Sequence, residues 1–212
     1  MPTFLVAIRD LPIDWVKFGI GALLLLLPLP LLFGRGVQYR ELDRTWSRFV
    51  GPVFALPWHW IDLVRSFGAT WLLAKAVGLG WVVSLDHPLP KRALALVAVV
   101  FCVAVFVQTI ACKFPDSYHA AFAPIIGIVA AVLPPIVAGL ALISAVLVAL
   151  GFRSAVAFFG ALSVAVAVFG ALFYRAWPVV AIIAAVSILP LLFPMLFHRD
   201  LVIAHRRLGS ET

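Results

Sequence analysis

The chain has 212 residues, of which 65% are hydrophobic and 12% are charged, and its mean hydropathy is +1.15. Because a soluble domain is roughly 45–50% apolar, this composition excludes a water-soluble globular protein. The 16 Lys and Arg residues against 9 Asp and Glu give a net charge of +7, but the basic residues lie between apolar runs and not along one stripe, which excludes a nucleic-acid-binding module. The sequence therefore predicts an all-α integral membrane protein that forms a single polytopic domain over residues 1-212.

Five apolar runs are candidate membrane-spanning helices, since a span needs about 20 predominantly apolar residues. The first run is shorter than the others and lies between Lys17 and Arg35, and we interpret it as a retained signal-anchor helix. Pro28 and Pro30 are expected to loosen its last turn. The five predicted spans cover residues 18-33, 93-112, 122-151, 155-173 and 178-197.

Residues 40-81, between the first two spans, are amphipathic and not continuously apolar. In the second half of this region, Trp60, Val64, Phe67 and Trp71 share one helical face, and His59, Asp62, Ser66 and Thr70 share the opposite face. Such helices lie flat at the membrane surface, with aromatic rings at the level of the headgroups. The residues predicted to bind lipid headgroups or a protein partner are Arg44, Trp46, Arg48, Trp58, His59, Trp60, Asp62 and Arg65.

The number of spans depends on the segment from Phe67 to Leu85, which becomes a sixth span in the alternative interpretation and then carries Lys75 inside it. With five spans, four basic residues lie on one side of the membrane and twelve on the other. With six spans and Lys75 set aside, the split is seven against eight and predicts no orientation. The five-span arrangement is therefore favoured. It places the protein in the cell (inner) membrane with its N-terminus outside and its C-terminus in the cytoplasm.

Prolines and small residues mark the predicted packing of the last three spans. Pro134 and Pro135 lie within one apolar run, and Pro190 and Pro194 lie within another, so both spans are expected to be kinked. A hinge or a broken-helix solute site competes there with a fixed kink. The fourth span has a face of small residues that suits intramolecular helix packing, namely Gly160, Ser163, Ala167, Gly170 and Ala171.

Polar residues that could carry chemistry form two clusters. Asp116 and His119 are three residues apart at the entry to the third span, where a helix cap competes with a metal or catalytic site. His59, Asp62 and Arg65 form the other cluster, for which a solvated helix face is the simpler interpretation. No phosphate loop, nucleophile elbow or zinc-protease motif is present, and we predict no cofactor and no metal site.

These observations favour a non-enzymatic membrane protein that acts as a subunit, scaffold or assembly factor of a membrane complex. Its predicted partners are membrane lipids and other membrane protein subunits. A transport component, either a solute-binding membrane subunit or a small channel with proline-broken helices, is the alternative. A lipid-active membrane enzyme is the third hypothesis.

Overall fold

The computed structural model describes residues 13–28, 37–41, 57–79, 91–111, 117–174, 176–197 and 200–206. Within these ranges the chain forms seven α-helices and three short β-strands, so the predicted helical class is confirmed. The helices are α1 (Trp15–Leu26), α2 (Pro57–Ala76), α3 (Lys91–Ile110), α4 (Phe122–Val132), α5 (Pro135–Phe152), α6 (Ala155–Phe173) and α7 (Trp177–Phe197). The strands are β1 (Val37–Glu41), β2 (Ser117–His119) and β3 (Asp200–Arg206).

Four helices, α3, α5, α6 and α7, are long and apolar enough to cross a membrane. This indicates a multi-pass membrane protein. Helices α1 and α4 are also apolar but have only 12 and 11 residues. At about 1.5 Å per residue, each is roughly 17 Å long, about half of a hydrocarbon core.

The long predicted span over residues 122-151 is two helices and not one. Helix α4 ends at Val132, and both Leu133 and Pro134 have extended backbone angles before α5 begins at Pro135. A residue that precedes proline disfavours the α-helical region, whereas proline itself suits the first position of a helix. An interruption is present at Pro134 and Pro135, as a full break where the sequence predicts a kink. Helix α7, in contrast, runs as one helix past Pro190 and Pro194, and the kink expected there stays a prediction.

The three strands form one mixed sheet in the order β1, β3, β2. Strand β3 pairs antiparallel with β1 and parallel with β2, and the amide of Ala120 extends the second pairing to the Val202 carbonyl at 2.9 Å. The segments that follow α1, precede α4 and follow α7 therefore meet at one end of the bundle, which we call the sheet end. The five-span arrangement does not fit this pairing, because it puts residues 117–119 on the opposite side of the membrane from residues 37–41 and 200–206.

Helix α2 packs inside the bundle between α1 and α4 and exposes its aromatic face. Asp62, Ser66 and Thr70 are at most 3% exposed, whereas Val64 is 71% exposed and Trp71 44%. The predicted division of this helix into two faces is correct, but the expectation that the polar face is solvated is wrong. In a lipid environment the apolar face turns outward and the polar face needs protein partners, which is the reverse of an interfacial helix.

Two glycines allow this close packing. A Cβ atom added to Gly127 of α4 would lie 2.7 Å from the backbone nitrogen of Phe67 in α2. A Cβ atom added to Gly21 of α1 would lie 2.8 Å from the Ala69 carbonyl oxygen, on another part of α2. Both separations are below van der Waals contact, so glycine is required where α1 and α4 touch α2.

Helices α5, α6 and α7 pack consecutively through short connections, as predicted. The small face of α6 lies against α7, where the Ser163 hydroxyl donates a hydrogen bond of 2.8 Å to the Ala184 carbonyl. Gly170 likewise lies beneath the side chain of Val180. Ser163 and Gly170 therefore serve packing within the chain, as the sequence indicates, whereas Ala167 of the same predicted face is exposed.

Candidate functional site

The polar face of α2 carries a buried ion pair. The Arg65 guanidinium donates to the Asp62 carboxylate from Nε at 3.0 Å and from Nη2 at 2.5 Å. The Arg65 side chain is 9% exposed and that of Asp62 is 5% exposed. The Ser66 hydroxyl lies within 3.5 Å of the same carboxylate oxygen. Buried ionisable residues inside a membrane bundle are rare and are the default marker of a functional site.

The same guanidinium reaches across to the C-terminal end of α1, where Nη1 donates to the Leu24 carbonyl. From α3, the Gln108 amide nitrogen donates to the carbonyls of Leu25 at 3.1 Å and Leu27 at 2.6 Å. The last carbonyls of a helix have no partner within it, and the C-terminal end carries partial negative charge. Arg65 and Gln108 therefore satisfy the end of a helix that is too short to reach across a bilayer.

Two buried polar atoms on α2 and α3 accept no hydrogen bond from the part of the chain that the structure describes. They are the Gln108 side-chain oxygen and the Thr70 hydroxyl oxygen. Gln108 is 1% exposed and Thr70 is fully buried. The Gln108 oxygen belongs to the amide that binds the end of α1, which Arg65 also contacts. Buried polar atoms are normally hydrogen-bonded, so an acceptor without a bond can accept one from a ligand.

His59 precedes Asp62 by three residues on α2 and lies close enough to interact electrostatically with both Asp62 and His119. His119 is 4% exposed in β2, at the sheet end. Its burial, reinforced by the nearby His59, lowers its pKa to about 3, so His119 is uncharged at neutral pH. The N-terminal half of α2 thus places His59 near both Asp62 and the buried His119 of β2.

The predicted helix cap at the entry to the third span is wrong. Residues 117–119 are strand β2, and α4 begins only at Phe122 after Ala121. The reason is long-range strand pairing with β3, which sequence periodicity does not reveal. Asp116 lies outside the described residues, so the predicted joint site with His119 is not described.

The remaining predicted site residues are distributed differently. Arg44, Trp46 and Arg48 lie outside the described residues. Trp58 and Trp60 are 38% and 51% exposed at the N-terminal end of α2, as the aromatic anchors of a membrane surface would be. Among the described residues, no group of three or more His, Cys, Asp or Glu could hold a metal ion.

Sequence reasoning singled out Asp62 and Arg65 but missed their connection to α1 and α3. Gln108 is noticeable as an amide in an apolar run, and a buried amide in lipid requires partners. Its two acceptors lie more than 80 positions earlier, at the end of α1. That contact depends on the tertiary arrangement of three helices.

Comparisons with protein-family models, with curated proteins and with solved structures find no match to this chain.

Proposed function

We propose that the protein is a solute-binding membrane component of a transport system. The observation that supports this most is the buried Asp62–Arg65 pair, joined to the carbonyl end of the half-length helix α1. Transporters commonly bind their solutes at such interrupted helices, where unwound carbonyls and helix ends point at the ligand. The break between α4 and α5 supplies a second half-length helix beside the same face of α2.

We propose that all seven helices lie in the membrane and that consecutive helices alternate in direction. The backbone amide of Asp14, at the start of α1, donates a hydrogen bond to the carbonyl of Ala76 at the end of α2, so these helices are antiparallel. The ring of Phe122 at the start of α4 lies 4.7 Å from the ring of Phe159 near the start of α6. Because α6 begins directly after the end of α5, this contact supports an arrangement in which α4 enters from the sheet end and α5 returns to it. This arrangement keeps all three strands on one side, as their pairing requires.

Basic residues give this arrangement an orientation. In the proposed arrangement, the order of residues along the chain assigns nine basic residues to the side of the sheet end and six to the opposite side. We therefore propose that the sheet end is cytoplasmic, with the C-terminus there, the N-terminus outside and the protein in the cell (inner) membrane. The nine are Arg35, Arg40, Arg44, Arg48, Lys113, Arg153, Arg199, Arg206 and Arg207, and the six are Arg9, Lys17, Lys75, Lys91, Arg92 and Arg175. Protease access to tags at the N-terminus and the C-terminus, measured in sealed vesicles, tests this orientation. A result that puts both tags on the same side of the membrane would refute it.

Cysteine accessibility tests the transport proposal, because a solute pathway must admit water at some stage of its cycle. In a chain from which Cys102 and Cys112 have been replaced by alanine, Ser66→Cys reports on the buried face of α2. Val64→Cys, on the same helix turn but facing outward, is the matched lipid-facing control. Lys17→Cys, whose position is exposed at the start of α1, is the water-accessible control.

We expect a charged, membrane-impermeant thiosulfonate to label Ser66→Cys in vesicles, more slowly than Lys17→Cys, and to leave Val64→Cys unlabelled. Labelling of Ser66→Cys requires α4 to move away from α2, since Ser66 is now fully buried against Gly127. If Ser66→Cys is as unreactive as Val64→Cys from both sides of the membrane, the transport proposal is wrong.

A non-enzymatic scaffold or assembly subunit is the second candidate, and a specific observation favours it too. The glycine contacts of α1 and α4 with α2 make this part of the bundle tightly packed. A rigid packed interface with an internally bonded ion pair suits a structural subunit. The labelling experiment separates the two candidates, because a static scaffold leaves Ser66→Cys unlabelled.

A further inference from the structure

We propose that the solute is a small zwitterion, which opens the Asp62–Arg65 pair and takes the place of each partner. This proposal rests on the transport function above. In it, the positively charged group of the solute binds Asp62 and the end of α1, and the negatively charged group binds Arg65.

Charge balance selects this class of solute. Asp62 and Arg65 are each other's counter-ion, and both side chains are almost completely buried. A lone cation that binds Asp62 leaves the guanidinium unpaired in the interior, and a lone anion that binds Arg65 leaves the carboxylate unpaired. An unpaired buried charge is strongly unfavourable. A solute with one charge of each sign replaces both partners at once, so no charge is left alone.

The acceptors around Asp62 suit an ammonium group. Arg65 now donates to the Leu24 carbonyl, and Gln108 donates to the next carbonyls along, Leu25 and Leu27. The negative end of the α1 dipole favours positive charge at this place. The side-chain oxygen of Gln108 is buried and receives no hydrogen bond from the described residues. An ammonium donor from the solute would satisfy it.

The donors around Arg65 suit a carboxylate. A guanidinium presents its N–H groups in a planar fork that binds a carboxylate with two parallel hydrogen bonds. The Ser66 hydroxyl lies 3.4 Å from Arg65 Nη2 and supplies a further polar group on the same turn of α2. The Nε and Nη2 groups, which now donate to one oxygen of Asp62, would each donate to one oxygen of the solute's carboxylate.

A thermal-shift experiment on the purified full-length protein tests the proposal. The probes are the neutral proteinogenic amino acids, with acetate and methylammonium as controls that each carry only one of glycine's two charged groups. Concentrations extend to about 1 mM, the upper end of the usual range of substrate affinity. We expect at least one amino acid to raise the unfolding temperature and both single-charge controls to leave it unchanged.

Two double variants provide a matched comparison. Asp62→Asn with Arg65→Gln removes both buried charges together, which avoids leaving one of them unpaired. Asp14→Asn with Lys17→Gln removes an ion pair of the same i,i+3 spacing at the exposed start of α1. The first variant should lose the amino-acid shift and the second should keep it. If the first does not fold, Arg65→Lys replaces it and should raise the half-maximal concentration about tenfold or more, since the planar fork is lost.

The proposal is overturned if no amino acid raises the unfolding temperature, if acetate or methylammonium does so equally well, or if the buried-pair variant keeps the shift. An unchanged half-maximal concentration in Arg65→Lys overturns it as well. Labelling of Ser66→Cys without any amino-acid shift would refute the zwitterion alone and leave transport standing. Failure of the labelling itself would refute transport.

Discussion

Replacing Gly127 by alanine tests the central packing of this bundle with a single methyl group. The added Cβ would lie 2.7 Å from the Phe67 backbone nitrogen and 2.8 Å from the Ser66 Cβ. Carbon atoms in contact prefer separations of about 3.5–4.0 Å, so relieving the contact with the Ser66 Cβ requires α4 to move away from α2 by roughly 0.7 Å or more. Backbone atoms cannot rotate out of the way, and overpacking of this kind costs about 1–3 kcal/mol.

The matched control is Gly139→Ala in α5, where an added Cβ would have nothing within 4 Å. Alanine gains up to about 1 kcal/mol over glycine in a helix, and both variants receive this gain. The difference between them therefore isolates the contact, and we expect Gly127→Ala to be less stable than Gly139→Ala by about 1–3 kcal/mol.

Thermal unfolding of the two variants in detergent, followed by tryptophan fluorescence, measures this difference. For a chain of this size, each kcal/mol shifts the midpoint by about 2–4 °C. Gly127→Ala should also speed the labelling of Ser66→Cys, because it separates the two helices beside that position. Equal midpoints for the two alanine variants would show that α2 and α4 do not meet at Gly127.

Three further outcomes follow from buried polar groups. Ser163→Ala removes the hydrogen bond to the Ala184 carbonyl and should lower the unfolding free energy by about 0.6 kcal/mol, a typical value between membrane helices; no change would show that the bond contributes nothing. Burial lowers the pKa of His119 to about 3 in the folded protein, against 6.5 in the unfolded chain. The unfolding free energy should therefore be highest above pH 6.5 and fall as the pH drops towards 3, by up to about 1.4 kcal/mol per pH unit. His119→Gln should flatten this decline in a pH series of unfolding midpoints, and an equally steep decline would contradict the assignment. Asp62→Asn alone leaves the guanidinium of Arg65 unpaired and should destabilise the protein by about 3–5 kcal/mol, more than the double variant that removes both charges; chemical denaturation of both compares them, and equal stabilities would argue against a buried pair.

The sequence alone was sufficient for the membrane class, for the long helices α3, α6 and α7, and for an irregularity at Pro134 and Pro135. The length of an apolar run and the effect of a proline on a helix depend only on neighbouring residues, so both can be predicted without knowledge of distant contacts. The division of α2 into a polar and an aromatic face was likewise readable from a period of 3.6 residues.

Tertiary structure decided which way those faces turn. A periodic pattern looks the same for a helix that lies on a membrane with its polar face in water and for one within a bundle with its polar face inward. The difference lies in the contacts of Gly21 and Gly127 with α2 and in the bonds from Arg65 and Gln108 to the end of α1. These partners come from distant parts of the chain. The sheet that joins residues 37–41, 117–119 and 200–206 has the same origin, because strand pairing between remote segments depends on where the helices have already placed them.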